Sequence, residues 1–162
     1  MKTLSSLIVV LTLVSGLAAS QPAQAQVKIA FKSSFSGLYV RAGVGPNSGL
    51  SAWSPRVFQD GWERFEYVPS AGNRFRLRSL KSGLYVTVYP DGYLHATHAD
   101  DVFPNSTLFE FISLDGGDFA IRSVSNGKYV RAGVGPYSRL AAVATKVYPR
   151  GWERFRWERL RD

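Results

Sequence analysis

The chain has 162 residues, no cysteine and a formal net charge of +8. That length fits one ordinary domain with its own core. Without cysteine, disulfide scaffolds and cysteine-based metal or nucleophile chemistry are excluded.

Residues 1–25 begin with Lys2, run through an apolar stretch from about Leu4 to Ala19, and close on Ala23-Gln24-Ala25 after Pro22. A basic start, a short apolar run and a small-residue end make the pattern of a secretory signal peptide. A membrane anchor is the alternative, but the run is short and Ser-interrupted for a span of ~20 residues. The expectation is cleavage to a single domain, 26–162, exported to the periplasm or the medium, with no integral span left. Without Lys2 the net charge is +7. In a cytosolic protein that excess would point to nucleic acid. After export the available polyanions are acidic polysaccharides, lipopolysaccharide, phospholipid surfaces and acidic proteins, and the charge also serves plain solubility.

From about residue 28 the chain repeats itself three times, over about 28–70, 72–114 and 116–160. Each copy opens on a period-2 segment: Ile29-Ala30-Phe31-Lys32-Ser33, Phe75-Arg76-Leu77-Arg78-Ser79 and Phe119-Ala120-Ile121-Arg122-Ser123. Such alternation predicts a strand with one buried face. A turn follows at Ser36-Gly37, Ser82-Gly83 and Asn126-Gly127, where glycine accepts positive φ. Next come Tyr39-Val40, Tyr85-Val86 and Tyr129-Val130, then Leu50-x-Ala52, Leu94-x-Ala96 and Leu140-x-Ala142. The aromatic strands around Phe65, Phe109 and Phe155 close the copies. The Gly-x-Tyr-Val starts lie 46 and 44 residues apart. No stretch has a capped 3.6-residue apolar period, so the domain is predicted all-β, with about twelve short strands. A unit of this size cannot bury its apolar face alone, and three units are too few for a propeller of four-stranded blades. A closed barrel capped by hairpins with pseudo-threefold symmetry, the β-trefoil, satisfies the count and leaves no open sheet edge.

Phe119-Ala120-Ile121-Arg122-Ser123-Val124, Asn126-Gly127-Lys128-Tyr129-Val130, Leu140-x-Ala142 and Trp152-Glu153-x-Phe155 together resemble the fascin-like β-trefoil module. The resemblance extends over nearly all of residues 28–160. It implies either actin bundling, as in animal fascins with four trefoils in tandem, or glycan binding, as in single bacterial trefoils attached to glycoside hydrolases. One trefoil behind a signal peptide departs from the cytoskeletal proteins, so actin bundling is not carried over. Fold likeness sets no function by itself.

Tyr39–Leu50 and Tyr129–Leu140 differ only at Asn47/Tyr137 and Gly49/Arg139. They read as two equivalent long loops that carry Arg41 and Arg131, either as a bivalent binder or as turn chemistry used twice. Copy two has the shorter Tyr89-Pro90-Asp91-Gly92-Tyr93 turn, whose Tyr89 and Tyr93 either flank a ligand or pack the hairpin. Gly61-Trp62-Glu63-Arg64-Phe65 recurs as Gly151-Trp152-Glu153-Arg154-Phe155. Paired carboxylates invite a glycosidase reading, but pseudo-symmetry puts Glu63 and Glu153 in different lobes. Trp53 stands where the other copies have Thr97 and Val143. It is either a flat platform for a sugar ring or packed under the Arg56–Asp60 loop. Arg74, Arg76 and Arg78 share one parity and form a candidate basic stripe for an acidic polymer. His95 and His98 point to opposite faces of a strand, a poor arrangement for one metal. No motif asks for a metal or a cofactor, and no nucleophile elbow or P-loop is present. The leading expectation is a secreted, monomeric, non-catalytic module for carbohydrate or an acidic surface polymer. A protein-interaction or inhibitor module is the second reading, and a glycan-active enzyme the third.

Overall fold

The computed structural model describes residues 26–100 and 102–161. The signal-peptide expectation for 1–25 lies outside the described residues. Twelve strands follow in chain order: β1 (Val27–Ser33), β2 (Tyr39–Val44), β3 (Gly49–Ser54), β4 (Phe65–Pro69), β5 (Arg74–Ser79), β6 (Tyr85–Val88), β7 (Leu94–His98), β8 (Phe109–Ser113), β9 (Phe119–Ser123), β10 (Tyr129–Val134), β11 (Arg139–Ala144) and β12 (Phe155–Arg159). Antiparallel pairing runs β1–β4–β5–β8–β9–β12 and returns to β1, so six strands close a barrel. The hairpins β2–β3, β6–β7 and β10–β11 cap one end of it. This is the all-β β-trefoil that the repeat predicts.

The repeat places its apolar residues in threefold layers. Phe65, Phe109 and Phe155 are fully buried in the barrel, and Phe31 packs its ring 5.4 Å from Phe65 and 5.8 Å from Phe155. Val40, Val86 and Val130, with Leu50, Leu94 and Leu140, fill the space beneath the cap. Each barrel-to-hairpin turn is built alike: the N–H of Gly37, Gly83 or Gly127 donates to the carbonyl of Ser33, Ser79 or Ser123.

One expectation changes here. From Val44, Val88 and Val134 to Leu50, Leu94 and Leu140 the three copies have the same length. The two additional residues of copies one and three do not lengthen the turn. They enter β2 and β10 as a bulge, seen as a register shift between Arg41 and Val44 and between Arg131 and Val134. Gly43 (φ +76°) and Gly133 (φ +73°) make the bulge, and the indoles of Trp62 and Trp152 lie on them. The N–H groups of Ala42 and Ala132 donate to the carbonyls of Trp62 and Trp152, at 3.1 and 3.0 Å. Bulge and Gly-Trp-Glu-Arg are therefore one structural device, which explains why copy two lacks both.

Candidate ligand-binding site

The hairpin cap is cyclic, each turn docking on the outer strand of another lobe. Gly49 of lobe one pairs with His95, and the Ser48 carbonyl accepts from Ala96 N–H. Tyr93 of lobe two bridges to Ala141, and the Gly92 carbonyl accepts from Ala142 N–H. Arg139 of lobe three pairs with Ser51. At the position before the conserved-in-repeat leucine the copies carry Gly49, Tyr93 and Arg139, and these three meet. The Arg139 guanidinium lies 4.2 Å above the Tyr93 ring, a cation–π contact. Gly49 leaves room for Arg139: a Cβ there would stand 2.9 Å from the Val44 carbonyl oxygen and 3.0 Å from the Arg139 terminal nitrogen.

His95 extends this cluster. Its Nε2 sits 3.2 Å from Arg139, and its Nδ1 3.1 Å from the Asn47 carbonyl. Arginine only donates and a carbonyl only accepts, so Nδ1 carries the proton and the ring is neutral. Burial pushes the His95 pKa down, and the Arg139 charge pushes the same way. Tyr89 covers the imidazole at 4.1 Å and donates to Thr97 Oγ1 at 3.3 Å. It also borders an open polar cleft of about 520 Å³ with Thr87, Ser106 and Asn126.

Trp53 does not lie under the Arg56–Asp60 loop. It stacks on Tyr137 of lobe three, with centroids 4.8 Å apart and planes 25° apart. Trp53 is 46% exposed and Tyr137 58%. Among the described residues neither the indole N–H nor the phenol of this pair bonds to protein. At the corresponding junctions lobe three offers Val143 against Gly92, and lobe two has Thr97 where lobe one has Trp53. An aromatic pair thus forms at one of three equivalent places. Tyr137 holds φ +64°, a left-handed conformation that costs a bulky residue about 1 kcal/mol or more. Lobe one puts Asn47 there at the same φ, a residue that tolerates it better. Sequence reasoning singled out Trp53 and Tyr93 but missed Tyr137 and Arg139; the signal was present, since these are the two positions at which Tyr129–Leu140 differs from Tyr39–Leu50.

The other predicted residues fare differently. Arg41 and Arg131 do not stand on loops. They are half-buried in β2 and β10 just before the bulge, and Arg131 faces the buried Glu153 at 3.9 Å. The expected loop placement of these two arginines is thereby corrected to strand positions. Arg74, Arg76 and Arg78 do share an outward face of β5, but they are not free cations. Arg78 is paired with Glu66, with Nε at 2.6 Å. Arg74 lies 3.5 Å from Glu110, which also binds Arg122 at 2.6 Å. Arg76 stacks 4.5 Å above Phe103 and donates to Thr107. Glu63 and Glu153 are each buried within their own lobe, tight against Gly61 and Gly151.

No protein-family model and no curated relative matches the chain. Solved structures do match in fold. A designed threefold-symmetric protein, ThreeFoil, aligns with TM-score 0.64 at 14% identity, covering 80% of this chain and 96% of that one. A Polyporus squamosus lectin bound to an influenza-binding epitope, Neu5Acα2-6Galβ1-4GlcNAc, aligns with TM-score 0.70 at 10% identity, covering 85% of this chain and 50% of the lectin chain. The Haemophilus ducreyi cytolethal distending toxin aligns with TM-score 0.64 at 19% identity, covering 84% of this chain and 85% of that one. These likenesses define the class, a β-trefoil protein.

Proposed function

We propose that the chain is an exported, non-catalytic binding module that recognises carbohydrate on its hairpin cap. The observation that carries this reading is the exposed Trp53–Tyr137 stack. A flat apolar surface with an unpaired N–H and O–H at its edges suits the C–H face and hydroxyls of a sugar ring. The strained backbone under Tyr137 supports it. The site is single, because only one of the three lobe junctions carries the aromatic pair. The paired arginines of β5 argue against an acidic polymer held by bare charge. The repeat also fits a fascin-like module, and residues 1–25 fit an export leader.

The test is a glycan array at low salt, followed by calorimetric titration of the best ligand. Trp53→Ala and Tyr137→Asn should each weaken binding about tenfold or more, with the circular dichroism spectrum unchanged. No glycan binding, or affinity indifferent to both changes, overturns the reading. A protein captured in pull-down despite excess sugar and high salt would put a protein-interaction module in its place.

A further inference from the structure

At the end of the barrel away from the hairpin cap, β1, β5 and β9 begin and β4, β8 and β12 finish. The mouth there holds an apolar cavity of about 290 Å³. Its wall comes from the equivalent residues Ile29, Phe75 and Phe119 of the three lobes, with Val27 added from the start of β1. Its rim comes from Tyr67, Phe111 and Trp157, which face Leu77, Ile121 and Phe31 across the ladders.

Two lobes close their share of the mouth in the same way. Tyr67 lies flat on Phe75, at 5.1 Å and 22°, and Phe111 lies flat on Phe119, at 4.9 Å and 18°. The remaining lobe breaks the pattern, because Ile29 stands where the others have phenylalanine. Among the described residues Trp157 meets no other aromatic ring, and it is 45% exposed. Lobe one carries its phenylalanine one layer deeper, at Phe31 where the others have Leu77 and Ile121, so it is the outer layer, at Ile29, that lacks one aromatic ring.

We propose that the barrel mouth binds one small, uncharged, planar aromatic molecule, which stacks on Trp157 over Ile29 where a third phenylalanine ring would lie. An apolar cavity of about 150 Å³ accepts a benzene, so this one has room for about two fused rings. The lining carries no charged side chain, and a charge buried there would go unpaired at high cost. The polar side-chain groups of the rim are the Tyr67 hydroxyl and the Trp157 N–H, so the ligand carries at most two hydrogen-bonding groups. Burial pushes the Tyr67 phenol up, which keeps it a neutral donor. This site is independent of the hairpin cap and of its carbohydrate reading.

The probes are naphthalene and, as a charged control of the same shape, naphthalene-2-sulfonate, titrated into the purified protein by heteronuclear NMR and by thermal melting. Naphthalene should shift the Trp157 indole and Ile29 methyl resonances saturably and raise the melting temperature with concentration. The sulfonate should bind about tenfold or more weakly. Ile29→Phe should abolish the naphthalene shifts, because it supplies the missing ring from within. Trp157→Leu should weaken binding about tenfold, and keeps the test decisive if Ile29→Phe does not fold. The proposal is overturned by the absence of saturable shifts, by shifts centred on Trp53, by equal binding of the sulfonate, or by a mouth already closed through self-association of the chain.

Discussion

At the scale of single residues, Gly43 and His95 show how the fold constrains chemistry. Gly43 combines φ +76° with a Trp62 ring that a Cβ would approach to 2.7 Å. Gly37 has a similar φ, +71°, but open space around it. Gly37→Ala should cost about 1–2 kcal/mol, the left-handed penalty alone, and Gly43→Ala about 2–4 kcal/mol, because overpacking adds to it. In a Trp62→Ala background the Gly43→Ala cost should fall to about that of Gly37→Ala. Urea denaturation of the four variants reads this directly, and strict additivity would show that the indole is not the obstacle. His95 makes stability depend on pH. The unfolded imidazole takes up a proton near pH 6.5, while burial first, then the Arg139 charge, hold the folded one below that, against the raising influence of the Asn47 carbonyl and Asp91. Its contribution is therefore complete above about pH 6.5 and is lost as pH falls toward the lowered folded value. Melts at about pH 7.5 and about pH 5.5 should show a smaller loss for His95→Ser, which copies Ser51 of lobe one. An equal loss would assign the effect to another group.

At the scale of elements, β5 shows why a charge run misleads. The alternation that turns Arg74, Arg76 and Arg78 outward is legible in the sequence, because side-chain period alone dictates it. Their partners are not, because Arg78 opposite Glu66 and Arg122 opposite Glu110 depend on strand register, which barrel closure sets. The same parity rule turns Glu66 and Glu110 outward, and that was the available clue. Glu110→Gln should release both Arg74 and Arg122 and delay elution from a heparin column. Its cost in stability should be about 1–3 kcal/mol, because the Glu110 carboxylate is largely buried and takes charge-assisted hydrogen bonds. Unchanged retention would mean that these arginines lie outside any polyanion contact.

At the scale of the whole molecule, the trefoil is a symmetric frame whose exceptions fall at its two ends. On the cap, Trp53 with Tyr137 and Tyr93 with Arg139 depart from the repeat and touch in pairs. At the open mouth, Ile29 and Trp157 depart from it and leave a cavity. The sequence by itself determined the barrel, the three hairpins and the identity of the core layers, because strand period, turn glycines and a repeat too small to stand alone are local properties that add up. It also marked Trp53 as the odd residue of its triplet. Only the tertiary structure decided what Trp53 touches, that the apparent long loops are strand bulges seating Trp62 and Trp152, and that within the basic stripe Arg74 and Arg78 pair with carboxylates while Arg76 stacks on Phe103. The Trp53 stack and the Arg78–Glu66 pair join different lobes and depend on how the three copies close on one another, whereas each bulge meets its tryptophan inside one copy, some twenty residues away in the chain and beyond the reach of a local pattern.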